Sequence, residues 1–228
     1  MEAWIMIIDM HVHESKYSSD SHFTLEEAVA RAKKVGLDAI CITNHESSDI
    51  FDEAHEYSKK SGFTVLVGAE ILTYEGDLLV FGVKDIPKHK MHASELTKLA
   101  AKHKGITISA HPFRNNNRGL GEHIRTVQAH LSGVEAFNGS TLPHHNLSAY
   151  TLATELNLPS VGSSDAHILE KLGTYATVFQ DRVRDERDLI EAIKQGKVFP
   201  TMLRDGRYHP IDIYRSGEEF DITGRAAV

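Results

Sequence analysis

Short apolar runs alternate with amphipathic stretches along most of the chain. The apolar runs, which are rich in β-branched residues, predict strands at residues 4–8, 38–43, 63–69, 78–83, 106–110, 134–137, 159–162 and 175–180. Apolar positions at helical spacing predict helices at residues 24–35, 52–60, 94–103, 122–131, 147–156 and 185–194. Because most of these strands are separated by a helix, we expect mainly parallel strands joined by helical crossovers, with one hairpin leading into residues 78–83.

The number of strand–helix units, about seven, favours a barrel over an open sheet. A doubly wound sheet normally carries a glycine-rich loop after its first strand, whereas here Ile8 is followed by Asp9-Met10-His11-Val12-His13. No internal repeat and no low-complexity linker divides the chain. We therefore predict an α/β fold with one domain, a distorted TIM-like barrel at residues 1–204. A C-terminal tail at residues 205–228 is expected to pack on the barrel or to trail from it.

Composition and charge exclude several classes of protein. The 228 residues carry 25 Lys and Arg against 32 Asp and Glu, a net charge of −7, which argues against a dedicated nucleic-acid-binding protein. The single cysteine, Cys41, excludes a disulfide framework and a cysteine zinc cluster. The first residues do not have the pattern of a signal peptide, and no apolar stretch is long enough to cross a membrane. We therefore expect a cytoplasmic protein.

Histidine is unusually frequent, at 15 of 228 residues, and the positions of several histidines suggest a metal site. Five histidines each follow a predicted strand: His11, His13, His45, His111 and His167. Four acidic residues lie at the same strand ends: Asp9, Asp20, Glu70 and Asp165. The carboxyl ends of the strands in a parallel barrel open onto one face, so these side chains are expected to converge. Imidazole and carboxylate ligands without thiolate suit Mn, Fe or Zn.

Five short motifs resemble, in the same order, those of the PHP (polymerase and histidinol phosphatase) superfamily. They are Asp9-Met10-His11-Val12-His13, Thr43-Asn44-His45, Gly68-Ala69-Glu70, Ala110-His111-Pro112 and Gly162-Ser163-Ser164-Asp165-Ala166-His167. The resemblance runs from Asp9 to the region of Gly173. It implies a distorted (β/α)7 barrel whose strand ends hold two or three divalent metal ions and hydrolyse phosphoesters.

The resemblance also implies roles for individual residues. The implied metal ligands are His11, His13, Glu70, His111, Asp165 and His167, and Asp20 and His45 match the positions that complete a third metal site. Asp9 matches a residue that usually orients a ligand histidine through a hydrogen bond. The chain departs from the family pattern at Asn44, where an aspartate is usual, and in the longer spacing from His13 to Asp20. The asparagine removes one negative charge from the vicinity of the metals.

A metal-dependent phosphoesterase is the function that these residues predict. In the mechanism that the resemblance implies, a hydroxide bridging two metals attacks phosphorus in line. His167 or His45 would protonate the leaving group if it is not fully occupied as a ligand. Arg114 and Arg118, in the loop after the fourth motif, are expected to bind the phosphate, and Ser164 is expected to donate to a phosphate oxygen.

The expected substrate is a small phosphorylated metabolite or nucleotide, including a short 5′-phosphorylated oligonucleotide. Long nucleic acid and a membrane are not expected as partners, because the chain is acidic and has no stripe of Lys and Arg. The oligomeric state stays open.

Two other functions also stay open. An amidohydrolase-type enzyme would hydrolyse C–N bonds, but it usually needs a bridging carbamylated lysine where this chain has Glu70 and His111. A non-catalytic PHP protein would use metal to hold the fold or to bind a partner, and Asn44 favours it.

Overall fold

The computed structural model describes residues 5–211, in which strands and helices alternate along the chain. The strands are β1 (Met6–Val12), β2 (Ala39–Ile42), β3 (Thr64–Val67), β4 (Ala69–Leu72), β5 (Asp77–Phe81), β6 (Ile106–Ser109), β7 (Gly133–Asn138), β8 (Ser160–Ser163), β9 (Tyr175–Phe179), β10 (Val198–Arg204) and β11 (Arg207–Pro210). The helices are α1 (Leu25–Lys34), α2 (Phe51–Ser61), α3 (Ala93–Lys102), α4 (Ile124–Val127), α5 (Pro143–Glu155) and α6 (Glu186–Lys194), with a short 3₁₀ turn at Gly121–His123.

Local chemistry sets several helix ends, two of them where the sequence predicts them. At the start of α1, the Thr24 hydroxyl accepts the N–H of Glu27 at 3.3 Å, and the Glu27 carboxylate accepts the N–H of Thr24 at 2.8 Å. α2 ends at Gly62, whose φ of 65° lies in the left-handed region. Proline at the first position of α5 starts this helix four residues earlier than predicted, because Pro143 is well suited to a first turn.

The described strands form two sheets, one in the order β11-β10-β9-β1-β2-β3 and the other in the order β4-β5-β6-β7-β8. The pairs β1–β2, β2–β3, β6–β7 and β7–β8 are parallel, as the helical connections between them require. β9 is antiparallel to β1 and to β10, contrary to the prediction. No helix separates β8 from β9, so the chain turns back directly. β5 is also antiparallel to both of its neighbours.

The two sheets meet at two seams, and no continuous ladder of the described strands closes them into a barrel. At the first seam β3 passes into β4 through Gly68, where a Cβ atom would lie 2.7 Å from the Phe81 ring. At the second seam, the Thr177 hydroxyl of β9 donates to the Gly162 carbonyl at 2.8 Å and accepts the Gly162 N–H at 3.0 Å. The prediction of a single α/β domain is confirmed, whereas the barrel stays a prediction.

The end of the described chain packs on the first sheet. β11 pairs antiparallel with β10, and Tyr208 is buried and donates its hydroxyl to the carbonyl of Gly173 at 3.0 Å. The predicted tail at residues 205–228 thus begins inside this hairpin, and residues 212–228 lie outside the described residues. The boundary after residue 204 stays a prediction. Within residues 5–211, no helix is long and apolar enough to cross a bilayer.

We expect Thr177→Val to lower the free energy of unfolding by about 1–3 kcal/mol, because it leaves the N–H and C=O of Gly162 without their partner in a buried seam. Valine keeps the β-branched shape, and urea denaturation measures the loss. Thr107→Val is the control, since the buried Thr107 hydroxyl has no hydrogen-bond partner among residues 5–211. Equal losses in both variants would contradict a role of Thr177 at the seam.

Candidate metal centre

Two short segments carry four of the predicted ligands and lie side by side. The parallel bridge between Val12 and Ala166 joins them, and the backbone N–H of His13 donates to the Ala166 carbonyl at 3.1 Å. Side chains alternate between the two faces of an extended segment, so the residues that flank each bridge position point to the same side. The pairs His11/His13 and Asp165/His167 therefore face one another at the carboxyl ends of β1 and β8.

The innermost group consists of His11, His13, Glu70 and Asp165, all buried. Nε2 of His11 lies 2.9 Å from Nε2 of His13. The Glu70 carboxylate lies 3.6 Å from the first nitrogen and 3.5 Å from the second, and Oδ1 of Asp165 lies 3.5 Å from each. Atoms that share one divalent ion at about 2.0–2.2 Å are separated from one another by roughly 3 Å. These four residues therefore have the spacing and the chemistry of ligands to one ion.

A second group shares Glu70 with the first. Nε2 of His111 lies 2.8 Å from Oε1 of Glu70 and 3.8 Å from Oδ2 of Asp77. Asp77 is not among the residues predicted from the sequence, although it has a ligand-type oxygen next to two residues that are.

A third group lies on the solvent side. His13, His45 and His167 come together, and the Asp20 carboxylate lies 3.1 Å from His45 Nε2 and 3.3 Å from His167 Nε2. The side chains of His45, His167 and Asp20 are 27%, 28% and 55% exposed, so the centre opens to solvent here. His45 Nδ1 also lies 2.8 Å from Glu70 but forms no hydrogen bond with it. Two atoms that bind the same metal ion lie close together in this way without a hydrogen bond between them.

Buried negative charge dominates the centre. Six carboxylates of the described chain are buried: Asp9, Glu14, Glu70, Asp77, Glu135 and Asp165. No Lys or Arg between residues 5 and 211 is buried to the same degree. Buried carboxylates are unfavourable unless they are hydrogen-bonded, paired with a positive charge or bound to a metal ion. The donor set therefore fits divalent cations.

The pKa values of the inner residues reflect this charge. Burial alone would lower the pKa of His11, but the neighbouring carboxylates, Asp165 foremost, raise it well above its ordinary value. Burial lowers the pKa of His13 to about 4, so this ring is neutral near pH 7. Burial would raise the pKa of Glu70 and of Asp165, yet the charge of His11 helps to lower both well below their usual range. The centre therefore stabilises a positive charge among these side chains, as a bound divalent ion provides.

Glu135 is a buried residue that the sequence reasoning missed. Its Oε1 lies 2.9 Å from His11 Nδ1 and accepts the Ser163 hydroxyl, and its Oε2 accepts the N–H of His111 at 2.6 Å. Asn138 also donates to Glu135, at 2.9 Å. One carboxylate thus orients the ring of one predicted ligand and the backbone of another. An acid within the otherwise apolar run at residues 134–137 was the available signal.

The Asp9 carboxylate forms its hydrogen bonds within residues 5–211 to backbone N–H groups and not to a histidine ring, so the orienting role that the resemblance implies stays a prediction. This carboxylate accepts the backbone N–H groups of Ser164 at 2.9 Å, Gly173 at 3.0 Å and His11 at 3.4 Å. Burial raises its pKa to about 6 despite these hydrogen bonds. Asp9 therefore ties β1 to the chain around β8. The contact to the ring of His11 is made by Glu135, because that strand faces Nδ1 of the ring.

The predicted substrate-binding residues occupy three different environments. Arg114, at the edge of the centre, forms an ion pair with Asp165 and donates to Asn138 at 2.7 Å. Arg118 forms two hydrogen bonds to Asp77, at 2.6 and 3.2 Å. Ser164 is fully buried. The structure thus brings both arginines to carboxylates of the centre, and the Ser164 hydroxyl donates to the backbone carbonyl of His11 at 3.5 Å. The contacts of all three residues with substrate stay predictions.

Two of the predicted ligands have unusual backbone conformations. His111 has a φ of 27° and Asp165 a φ of 50°, values that side chains other than glycine seldom adopt. His111 lies shortly after the end of β6 and Asp165 shortly after the end of β8, and both side chains turn into the centre. Five other non-glycine residues in the described part of the chain also have a positive φ, among them Asp205 in the β10–β11 turn, so the conformation alone does not mark a metal ligand.

Relatives of the chain were found by sequence and by structure. Residues 143–198 match a family described as PHP-associated. A PolC-type DNA polymerase III of Pediococcus pentosaceus is 30% identical over 116 residues, 48% of this chain and 8% of the polymerase. A two-domain protein of Bacteroides vulgatus, described as containing a predicted PHP-like metal-dependent phosphoesterase, matches 87% of this chain and 65% of its own length, with a TM-score of 0.70 and 21% identity. The chain belongs to the PHP superfamily.

An uncharacterized protein of Methanocaldococcus jannaschii is 32% identical over 144 residues, which cover 58% of this chain and 82% of that protein. The family resemblance that the motifs indicate is confirmed together with the PHP-associated match at residues 143–198. This PHP chain spans less than a tenth of the Pediococcus polymerase, and slightly less than two thirds of the Bacteroides protein. At 21% identity, the likeness to the latter establishes the fold alone.

Proposed function

We propose that this PHP protein is a metal-dependent hydrolase that cleaves a phosphoester of a small phosphorylated metabolite or nucleotide. The observation that carries the proposal is the inner group His11, His13, Glu70 and Asp165, in which two imidazole nitrogens and two carboxylates face one point inside a buried anionic centre. The Bacteroides relative of this fold is described as containing a PHP-like metal-dependent phosphoesterase.

We propose two or three divalent ions, Mn, Fe or Zn, one for each group of side chains. Bound there, such ions lower the pKa of water towards neutrality and neutralise charge on a phosphate. The protein residues would hold the ions at fixed separation, because Glu70 belongs to both the innermost and the second group, and His13 belongs to both the innermost and the third group. We also propose that the two sheets are the parts of a distorted (β/α)7 barrel, because their seams are bridged by Thr177 and by the pair His45–Glu70.

The open side of the centre supports the direction of substrate entry. His45 and His167 are the most exposed of the predicted histidine ligands, so the substrate would approach over them. Burial alone would lower the pKa of His45, but Glu70 and Asp20 raise it. We propose that His45 or His167 protonates the leaving group when it is not fully occupied as a metal ligand. Long nucleic acid and membranes are not proposed as partners of this acidic protein; a short 5′-phosphorylated oligonucleotide is within the proposed class.

Elemental analysis of the purified protein, together with hydrolysis assays in the presence of Mn²⁺, tests the proposal. The panel contains phosphomonoesters, assayed by phosphate release, and cyclic phosphates and short 5′-phosphorylated oligonucleotides, assayed by chromatography of the monoester or nucleotide formed. Two or more metal ions per chain with hydrolysis of one of these substrates is the expected result. Metal without hydrolysis of any of them would favour a non-catalytic PHP protein, or an amidohydrolase-type enzyme if amides are hydrolysed instead. No metal after reconstitution would contradict the proposal.

Arg114→Ala is expected to raise KM for the phosphorylated substrate by about 10- to 100-fold, because a charge-assisted hydrogen bond contributes about 1.5–3 kcal/mol. Arg114 lies at the edge of the centre, next to Asp165. Steady-state kinetics measures the change. Arg125→Ala is the control, because its guanidinium pairs with Glu122 and Glu155 at the surface. The same KM in both variants would contradict phosphate binding by Arg114.

A further inference from the structure

A series of hydrogen bonds connects the predicted ligand His13 to the carboxylate of Glu14. Nδ1 of His13 lies 3.2 Å from the Ser18 oxygen, and the Ser18 hydroxyl donates to Oδ1 of Asn44 at 3.1 Å. Nδ2 of Asn44 then donates to Oε1 of Glu14 at 2.8 Å. All four side chains are buried, so water does not compete for these contacts.

The surroundings of Asn44 fix the orientation of its amide. Oδ1 accepts the backbone N–H of Glu14 at 3.0 Å, while Nδ2 faces the carboxylate of the same residue. Turning the amide by 180° would bring two donors together at the first contact and two acceptors together at the second. Oδ1 is therefore the atom that faces Ser18. Because Oδ1 only accepts, the Ser18 hydroxyl donates its single proton to it.

The direction of this hydrogen bond determines the protonation of the His13 ring. The Ser18 oxygen already accepts the backbone N–H of His45 at 3.2 Å. Because the hydroxyl proton points to Asn44, the Ser18 oxygen can only accept a hydrogen bond from Nδ1 of His13. Nδ1 of His13 then carries the proton. Nε2 keeps its lone pair, and this is the nitrogen that lies 2.9 Å from Nε2 of His11 in the inner group.

We propose that Glu14, Asn44 and Ser18 are positioning residues that hold His13 in the Nδ1–H tautomer, with the Nε2 lone pair turned to the metal centre. The proposal rests on the metal-binding part of the proposed function and is independent of the substrate. It also accounts for asparagine at position 44. An aspartate there would place a second buried carboxylate 2.8 Å from that of Glu14.

Nuclear magnetic resonance of ¹⁵N-labelled, metal-free protein tests the tautomer directly, because protonated and unprotonated ring nitrogens differ in chemical shift. We expect His13 protonated at Nδ1 in the wild type and a mixture of both tautomers in Ser18→Ala. Ser21→Ala is the matched control: its hydroxyl donates to the backbone carbonyl of His13 at 2.8 Å and does not touch the ring. It should leave the tautomer unchanged. A wild-type ring protonated at Nε2 would overturn the proposal.

Titration with Mn²⁺ gives the second readout. Loss of a residue that orients a metal ligand typically lowers metal affinity about 10- to 100-fold, so we expect this loss in Ser18→Ala and wild-type affinity in Ser21→Ala. Equal affinities would overturn the positioning role of these residues while leaving the phosphoesterase proposal intact. Conversely, the expected tautomer in a wild-type protein that binds no metal would support the positioning of His13 and contradict the proposed function.

A charge exchange covers the case in which Ser18→Ala fails to fold. We expect Asn44→Asp to lower Mn²⁺ affinity and the melting temperature, because two carboxylates then face each other in a buried site. Adding Glu14→Gln should restore part of both, since the introduced amide can donate to the introduced carboxylate and the hydrogen bond from Ser18 is retained. Recovery is expected to be partial, because Oε1 of Glu14 also accepts the backbone N–H of Tyr17 at 3.1 Å and an amide nitrogen in its place cannot. No recovery in the double variant relative to Asn44→Asp would contradict the matched pairing of Glu14 with Asn44.

Discussion

Asp165→Asn is expected to remove turnover and most of the bound metal while leaving the protein folded. The Oδ1 atom of Asp165 lies 3.5 Å from the inner nitrogens of both His11 and His13, so asparagine replaces an anionic ligand by a neutral one at the middle of the centre. The loss in affinity should exceed the roughly 100-fold that removal of an outer hydrogen-bond partner can cost. Elemental analysis and phosphate release measure the two effects.

Asparagine is the informative substitution because the backbone at this position is unusual. Asp165 has a φ of 50°, which asparagine tolerates better than alanine does. Asp205→Asn is the matched control: Asp205 has a φ of 52° and lies exposed in the β10–β11 turn. It should keep wild-type metal content and turnover. Wild-type turnover in Asp165→Asn would refute the assignment of this centre.

Glu135→Gln is expected to produce the second-largest loss, although Glu135 is not a predicted ligand. Its buried carboxylate accepts from the His11 ring, the Ser163 hydroxyl and the His111 backbone. A glutamine turns one of the two oxygens into a donor that faces other donors. We expect about 10- to 100-fold weaker metal binding and about 1–3 kcal/mol less stability for the group left unpaired.

Mn²⁺ titration and urea denaturation measure these two losses. Glu26→Gln, on the exposed face of α1, is the control and should change neither quantity. A loss of stability with unchanged metal affinity would mean that Glu135 supports only the packing of β7. The pKa of Glu135 is lowered, because the charge of His11 and its hydrogen bond outweigh the effect of burial, so the carboxylate is ionised near pH 7.

Much of the architecture could be predicted from the local pattern, and the failures have identifiable physical causes. The capping box at Thr24 and Glu27 fixed the first helix, and the apolar runs located most of the strands. β10 and β11 were not predicted, and the reversal at β9 was missed, because strand direction depends on the pairing partner and not on the strand's own residues. The hairpin into β5 was predicted because its turn is local.

The sequence by itself determined the candidate ligands of this PHP protein and their order. Spacing within an extended segment is local, so His11 and His13, or Asp165 and His167, turn to one side wherever the segment is placed. Only the tertiary structure decided what lies around them. Glu135 meets His11 across 124 residues of chain, and Arg118 meets Asp77 across 41. Such contacts depend on which strands become neighbours, and ligand chemistry alone does not specify that.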